Sequence, residues 1–152
     1  MQHGTFVTIP VLAAIALVSG RYRFAIAMAI SGIGVYLLAR VLKQVVERGR
    51  PGALLDGVHT REVFGEGSLG FPSGHAAVAA ALTVVASAHL AVRWTVLALV
   101  LAGVVVVGRM YVGVHLPLDL VGGLALGVVA GAAANLMLGV PERRLVPEDQ
   151  GL

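Results

Sequence analysis

The chain contains no cysteine, few charges and few aromatic side chains, and each shortage removes a class of protein. Without cysteine there is no disulfide, no thiolate metal site and no cysteine nucleophile. Charged residues make up 12% of the 152, where a soluble globular domain carries roughly 25%. The deficit points away from a large soluble core. Aromatics reach only 5%, with no interleaving of aromatic and basic residues, and the formal charge of +3 is small and dispersed. Both features argue against a nucleic acid partner.

What is present in quantity is apolar: 58% hydrophobic residues and a mean hydropathy of +0.91. The length is that of one domain. A membrane-spanning helix needs about 20 mostly apolar residues, with a range of roughly 17–25. Five segments reach or approach this: Thr5 to Gly20, Phe24 to Leu42, Ser73 to Val92, Trp94 to Val112, and Leu116 to Leu138. Each is apolar all round, without the strong polar face of an interfacial helix. The expectation is an all-α integral membrane bundle of about five helices. It occupies residues 1–140, with a longer polar loop over 48–71 and a polar tail over 141–152. Thr5 to Gly20 is not read as a cleaved signal peptide, because no basic stretch precedes it and no small-residue cleavage site follows.

The basic residues of the short loops, Arg21, Arg23, Arg93, Arg143 and Arg144, all fall on one side when the helices alternate. The positive-inside rule makes that side cytoplasmic, in a multi-pass protein of the plasma membrane. Lys43, Arg48, Arg50, Arg61 and Arg109 then lie on the outer side. Cations kept outside against the usual bias need a reason, and binding an anion is one.

Three polar clusters interrupt the apolar sequence: Lys43 to Arg50-Pro51, Pro72-Ser73-Gly74-His75, and Arg109 through His115 to Asp119. Topology carries all three to one membrane face, where four helix ends can surround one pocket. Charged groups at membrane depth are costly, which makes them candidates for function. Ser73 suits a helix N-cap, and a helix N-terminus presents free N–H groups and a positive dipole end to phosphate. Gly74 allows close approach to the backbone. His115 and Asp119 are four apart and can share a helix face, so Asp119 can fix the imidazole tautomer by accepting a hydrogen bond. The other ring nitrogen is then available to attack. Lys43, Arg50 and Arg109 supply charge for phosphate oxygens. No carboxylate pair or His/Asp cluster has metal-site character, so neither metal nor other cofactor is expected.

These residues resemble the type 2 phosphatidic acid phosphatase superfamily, which also includes bacterial acid phosphatases and vanadium haloperoxidases. Its signature is Lys-x6-Arg-Pro, Pro-Ser-Gly-His and Ser-Arg-x5-His-x3-Asp. Here it reads KQVVERGRP from Lys43 to Pro51, PSGH from Pro72 to His75, and GRMYVGVHLPLD from Gly108 to Asp119. Gly108 stands where the family often has Ser. The resemblance implies that His115 is the nucleophile, forming a phosphohistidine, that Asp119 orients it, and that His75 protonates the leaving oxygen. It implies that Lys43, Arg50, Ser73, Gly74 and Arg109 hold the phosphate. Membrane members usually have six spans, with the first motif after the third; here it follows the second. The expectation is a six-helix core lacking its first helix, in a chain once longer or fused at its N-terminus.

The implied function is hydrolysis of a phosphate or diphosphate on a lipid at the extracytoplasmic face. Candidate substrates are a polyprenyl diphosphate, a polyprenyl-linked sugar phosphate, phosphatidic acid and phosphatidylglycerophosphate. Transfer of a lipid-linked phosphoryl group to an acceptor other than water is an alternative, as is a non-catalytic scaffold or transport subunit that keeps the pocket. Vanadate-dependent peroxidase chemistry suits the pocket but not so apolar a chain. Arg48 is read as a solvated or headgroup contact. His89 is assigned to the opposite face, His3 and His59 to solvent, and Asp56, Glu62 and Glu66 to the surface. Tyr36, Trp94 and Tyr111 read as packing or interfacial aromatics. Gly123, Gly127 and Gly131, with Ala76, Ala77, Ala80 and Ala81, read as close helix packing within the bundle, against a dimer interface.

Overall fold

The computed structural model describes residues 20–54 and 68–139. Five helices follow in order: α1 (Tyr22–Val46), the single turn α2 (Pro51–Leu54), α3 (Gly74–His89), α4 (Val92–Tyr111) and α5 (Pro117–Leu138). The all-α class holds among the described residues, where extended pairing is confined to one antiparallel bridge, Gly49 to Leu69. The first expected span, most of the polar loop with Asp56, His59, Glu62 and Glu66, His3, and the tail lie outside the described residues.

α1, α4 and α5 are long and apolar enough to cross a membrane. α3 is shorter than expected: it stops at His89, and Leu90 and Ala91 take extended backbone as the C-cap of α3 and the N-cap of α4. Arg93, expected as the linker, therefore sits in the first turn of α4. α1 continues past Leu42 and ends where Glu47 turns left-handed (φ 50°), its N–H closing on Lys43 O. α5 begins at Pro117, whose missing N–H costs nothing in a first turn.

α3 is the central helix. It packs against α1, α4 and α5, and α5 also meets α1. Its Ala-rich faces make this possible, with Ala76, Ala77, Ala80, Ala81 and Val85 all buried. The expected glycine packing is realised within the bundle. A Cβ added at Gly127 would stand 2.2 Å from Ala77 O, and one at Gly123 only 2.4 Å from Ser73 O. Small residues thus let the α3 and α5 backbones approach closely. Phe24, Met28, Val35, Val78, Leu82 and Ala134 complete the core. Asn135 Nδ2 donates to Val84 O (3.2 Å), a polar tie between α5 and α3. α4 has no buried residue, and its exposed Val96, Leu99, Val100, Val104 and Val107 form an apolar surface suited to lipid.

This arrangement sets the C-terminal ends of α1 and α4 beside the N-terminal ends of α3 and α5. The three motifs sit on those four ends.

Candidate active site

Backbone contacts tie the clusters together first. Arg48 to Arg50 leaves α1 in an extended run beside Leu69 and Gly70, with Gly70 N–H donating to Arg48 O (2.7 Å). Lys43 Nζ donates to Leu69 O (2.9 Å) and Gly70 O (3.2 Å), so the lysine fixes the extended segment that leads into Pro72. Ser73 N–H donates to Asp119 O (2.8 Å), joining the start of α3 to the first turn of α5. Arg50 Nη1 donates to Val114 O (3.0 Å), joining the first motif to the loop that carries His115.

His115 and Asp119 are both buried, Asp119 completely. Asp119 is the third residue of α5, and its Oδ2 accepts the Leu116 N–H (2.8 Å), half of a capping box. His115 Nδ1 lies 3.7 Å from the same oxygen. That is close, but beyond a hydrogen bond. The expected bond from His115 to Asp119 is therefore not formed; the helix's own first-turn donor occupies the oxygen. Catalytic hydrogen bonds often tighten only when substrate is bound.

Burial, then the positive fields of Arg50, Lys43, Arg109 and His75, push the His115 imidazole down from 6.5 to about 3. At neutral pH it is uncharged, so its contact with Asp119 is not an ion pair. All three cations and the second histidine thus act on one ring. An uncharged imidazole surrounded by cations retains a lone pair for attack and sits in a field that attracts anions.

Ser73 is the N-cap of α3 by position, in extended backbone, but its side chain makes no capping bond. Its buried Oγ has no hydrogen-bond partner among the described residues. The expected cap is thus a matter of backbone geometry, and the hydroxyl remains available to a ligand. A Cβ at Gly74 would meet nothing within 4 Å, so space in front of this helix start is open. Gly108 is equally open, and the serine common at this position would fit. His75 and Arg109 are partly buried. Gly70 is tightly placed: a Cβ there would stand 3.0 Å from Gly49 O and 3.2 Å from Asp119 Oδ2.

All eight expected site residues belong to this one end of the bundle. Arg48 is a correction. Instead of lying in solvent or on a headgroup, its Nη1 reaches Asp119 Oδ1 at 3.3 Å. The available signal was weak: Arg48 and Arg50 alternate in an extended run, so they can place side chains on one face. His89 stays away from the site as expected, stacked on Phe24 with ring centroids 5.3 Å apart.

Fold and apolar spans fit an integral membrane helical protein. The family model described as the PAP2 superfamily matches residues 7–141, and the chain belongs to that superfamily. Membership suggests phosphatase-type activity on lipid phosphates. Comparison with curated proteins and with solved structures gave no significant match.

Proposed function

We propose that the protein is a lipid phosphate or diphosphate phosphatase working at the extracytoplasmic face of the plasma membrane through a phosphohistidine on His115. The observation that carries this is the convergence of Lys43, Arg50, Arg109 and His75 on one buried, uncharged imidazole. α3 has 16 residues, about 24 Å at 1.5 Å per residue. That is shorter than the roughly 30 Å hydrocarbon core, which suits a pocket sunk to headgroup depth. The substrate is a lipid phosphate or polyprenyl (di)phosphate held among membrane lipids.

The phosphate group lies between the three cations and the first N–H groups of α3, with Ser73 Oγ as a further donor. His115 Nε2 attacks phosphorus. The N–P bond forms as the P–O bond to the lipid breaks, and protonated His75 gives its proton to the departing oxygen. Asp119 accepts the Nδ1–H, which gains acidity as the ring becomes positive. Water then attacks phosphorus and passes a proton to His75. The N–P bond breaks, its electron pair returns to His115, and inorganic phosphate leaves. Negative charge on the equatorial oxygens is balanced throughout by fixed cations and backbone donors, which is how phosphoryl transfer is chiefly catalysed. The mechanism calls on no metal.

The test is phosphate release from a panel of lipid phosphates in liposomes, with His115→Ala beside the parent. Release by the parent alone supports the reading. No release from any lipid by the parent overturns it. Vanadate should inhibit, and chelators should not.

A further inference from the structure

The buried Asp119 carboxylate needs a countercharge, and Lys43, Arg50 and Arg48 differ in where they anchor. Lys43 is bonded to the Leu69 and Gly70 carbonyls, and Arg50 to the Val114 carbonyl. Both thereby sit on the backbone that frames the pocket. Arg48 has its guanidinium on the Asp119 carboxylate, with Nη1 3.3 Å from Oδ1. The two carboxylate oxygens are thus differently occupied. Oδ1 faces Arg48, while Oδ2 faces Leu116 N–H and His115 Nδ1.

The rest of the neighbourhood is built to hold this pair. Asp119 is fully buried, whereas the Arg48 side chain keeps 28% of its surface exposed. Arg48's backbone is clamped by Gly70 N–H at 2.7 Å, immediately after the left-handed turn at Glu47. Gly70 also makes room for Asp119: any side chain there would press on Oδ2. One glycine therefore fixes both partners. Losing Arg48 would leave the buried Asp119 carboxylate less well compensated, which favours its reorientation, hydration or protonation. Each of these moves Oδ2 relative to His115.

We propose that Arg48 is a positioning residue that acts through Asp119, pinning the carboxylate so that Oδ2 is aimed at His115 Nδ1. Its kinetic consequence rests on the phosphohistidine reading above. It touches neither substrate nor the reacting nitrogen. The imidazole becomes positive only while its Nε2–P bond forms, so an aimed carboxylate acts on the chemical step more than on substrate binding. Arg48 should therefore govern kcat, while Lys43, Arg50 and Arg109 govern phosphate affinity as well.

The experiment compares Arg48→Gln, Arg48→Lys, Asp119→Asn and the double variant Arg48→Gln/Asp119→Asn, in liposomes with a phosphatidic acid substrate or whichever lipid phosphate the parent hydrolyses. Loss of an outer partner that orients a metal-binding side chain costs roughly 10–100-fold, and orientation of a reacting imidazole is expected to matter on the same scale. Arg48→Gln should lower kcat by about that much, with KM and the vanadate inhibition constant changed by less than about threefold. Arg48→Lys should recover part of the loss. In the Asp119→Asn background, Arg48→Gln should add little, because the two act as one unit. A loss that multiplies with Asp119→Asn, or a rise of tenfold or so in KM and in the vanadate constant, would make Arg48 a direct phosphate ligand and overturn the proposal. A second readout needs no activity: the ¹⁵N resonances of histidine-labelled protein in detergent. Arg48→Gln and Asp119→Asn should both displace the His115 Nδ1 signal. If Asp119→Asn moves it and Arg48→Gln leaves it in place, the coupling is absent. A parent that releases no phosphate would sink the functional reading, while the resonance comparison still decides the coupling.

Discussion

Both ends of α3 carry a histidine beside arginines, and the two ends are chemically unlike. At the end that starts at Gly74, His115 and Asp119 are buried, and three cations act on one imidazole. At the other end, His89 Nδ1 is bonded to Val85 O of its own helix (3.0 Å) and the ring stacks on Phe24. Arg23 there donates to Leu138 O (2.7 Å), closing the C-terminus of α5, and Arg93 lies 5.6 Å from the Trp94 ring. The same residue types serve helix termination and interfacial anchoring at one end, and form a convergent site at the other. What separates them is the buried carboxylate and the direction in which the cations point.

Four comparisons test that contrast. The largest effect should come from the paired histidines. His115→Ala should cut turnover by on the order of 10⁴-fold or more, since the nucleophile proposed above has no substitute. His89→Ala should leave it within about twofold. Steady-state phosphate release decides the matter, and a large loss in His89→Ala would erase the distinction between the ends. The paired arginines should differ next. Arg109→Gln should lower kcat/KM by roughly 10²–10³-fold through lost stabilisation of transferring charge. Arg23→Gln should act on the fold only, by about 0.3–1 kcal/mol at the α5 terminus. Thermal unfolding in detergent separates this from any change in rate.

The third effect concerns the packing that holds the two ends in register. Gly127→Val would drive a side chain onto Ala77 O, and overpacking of this kind costs about 1–3 kcal/mol. Gly103→Val meets nothing within 4 Å on the outward helix α4 and should be tolerated. Unfolding midpoints of the two variants should therefore diverge. The fourth effect is on ionisation. The His115 value is lowered to about 3 by burial and by the neighbouring cations, so the folded protein refuses a proton that a solvated histidine would accept near 6.5. Its imidazole signals should stay those of the neutral ring from pH 8 down to pH 5. Arg50→Gln removes one of the causes and should raise the value toward 6.5. An anion bound in the pocket should do the same, because it offsets the cations.

Much of this was legible in the sequence because membrane helices are written in long apolar runs. Polar residues stand out at their ends, and alternation of the spans forces Lys43, Ser73, Arg109 and His115 onto one face. The glycine ladder Gly123, Gly127 and Gly131 was legible for the same reason: a four-residue period marks one helix face. The joint between α3 and α4 was not, since Leu90 and Ala91 are as apolar as the helices they separate. Nor was Arg48. Its local sequence, Glu47-Arg48-Gly49, looks like a solvated turn, and its partner is 71 residues away. The bond depends on the extended run beside Gly70, which no periodicity in the sequence records. The missing bond from Ser73 Oγ and the 3.7 Å gap between His115 and Asp119 were likewise hidden: the first rests on cap geometry at α3, the second on which donor takes the Asp119 oxygen at the start of α5.

The central claim is that the converging cations serve a nucleophilic imidazole. Trapping the reaction by rapid denaturation during turnover of a lipid phosphate, then mapping phosphorylated peptides by mass spectrometry at alkaline pH, tests it most directly. Acid-labile phosphate should appear on His115, absent in His115→Ala and accumulating in a variant slowed at the water step. Sustained phosphate release with His115 unmodified at every time point, or with His115 replaced by Ala, would contradict it.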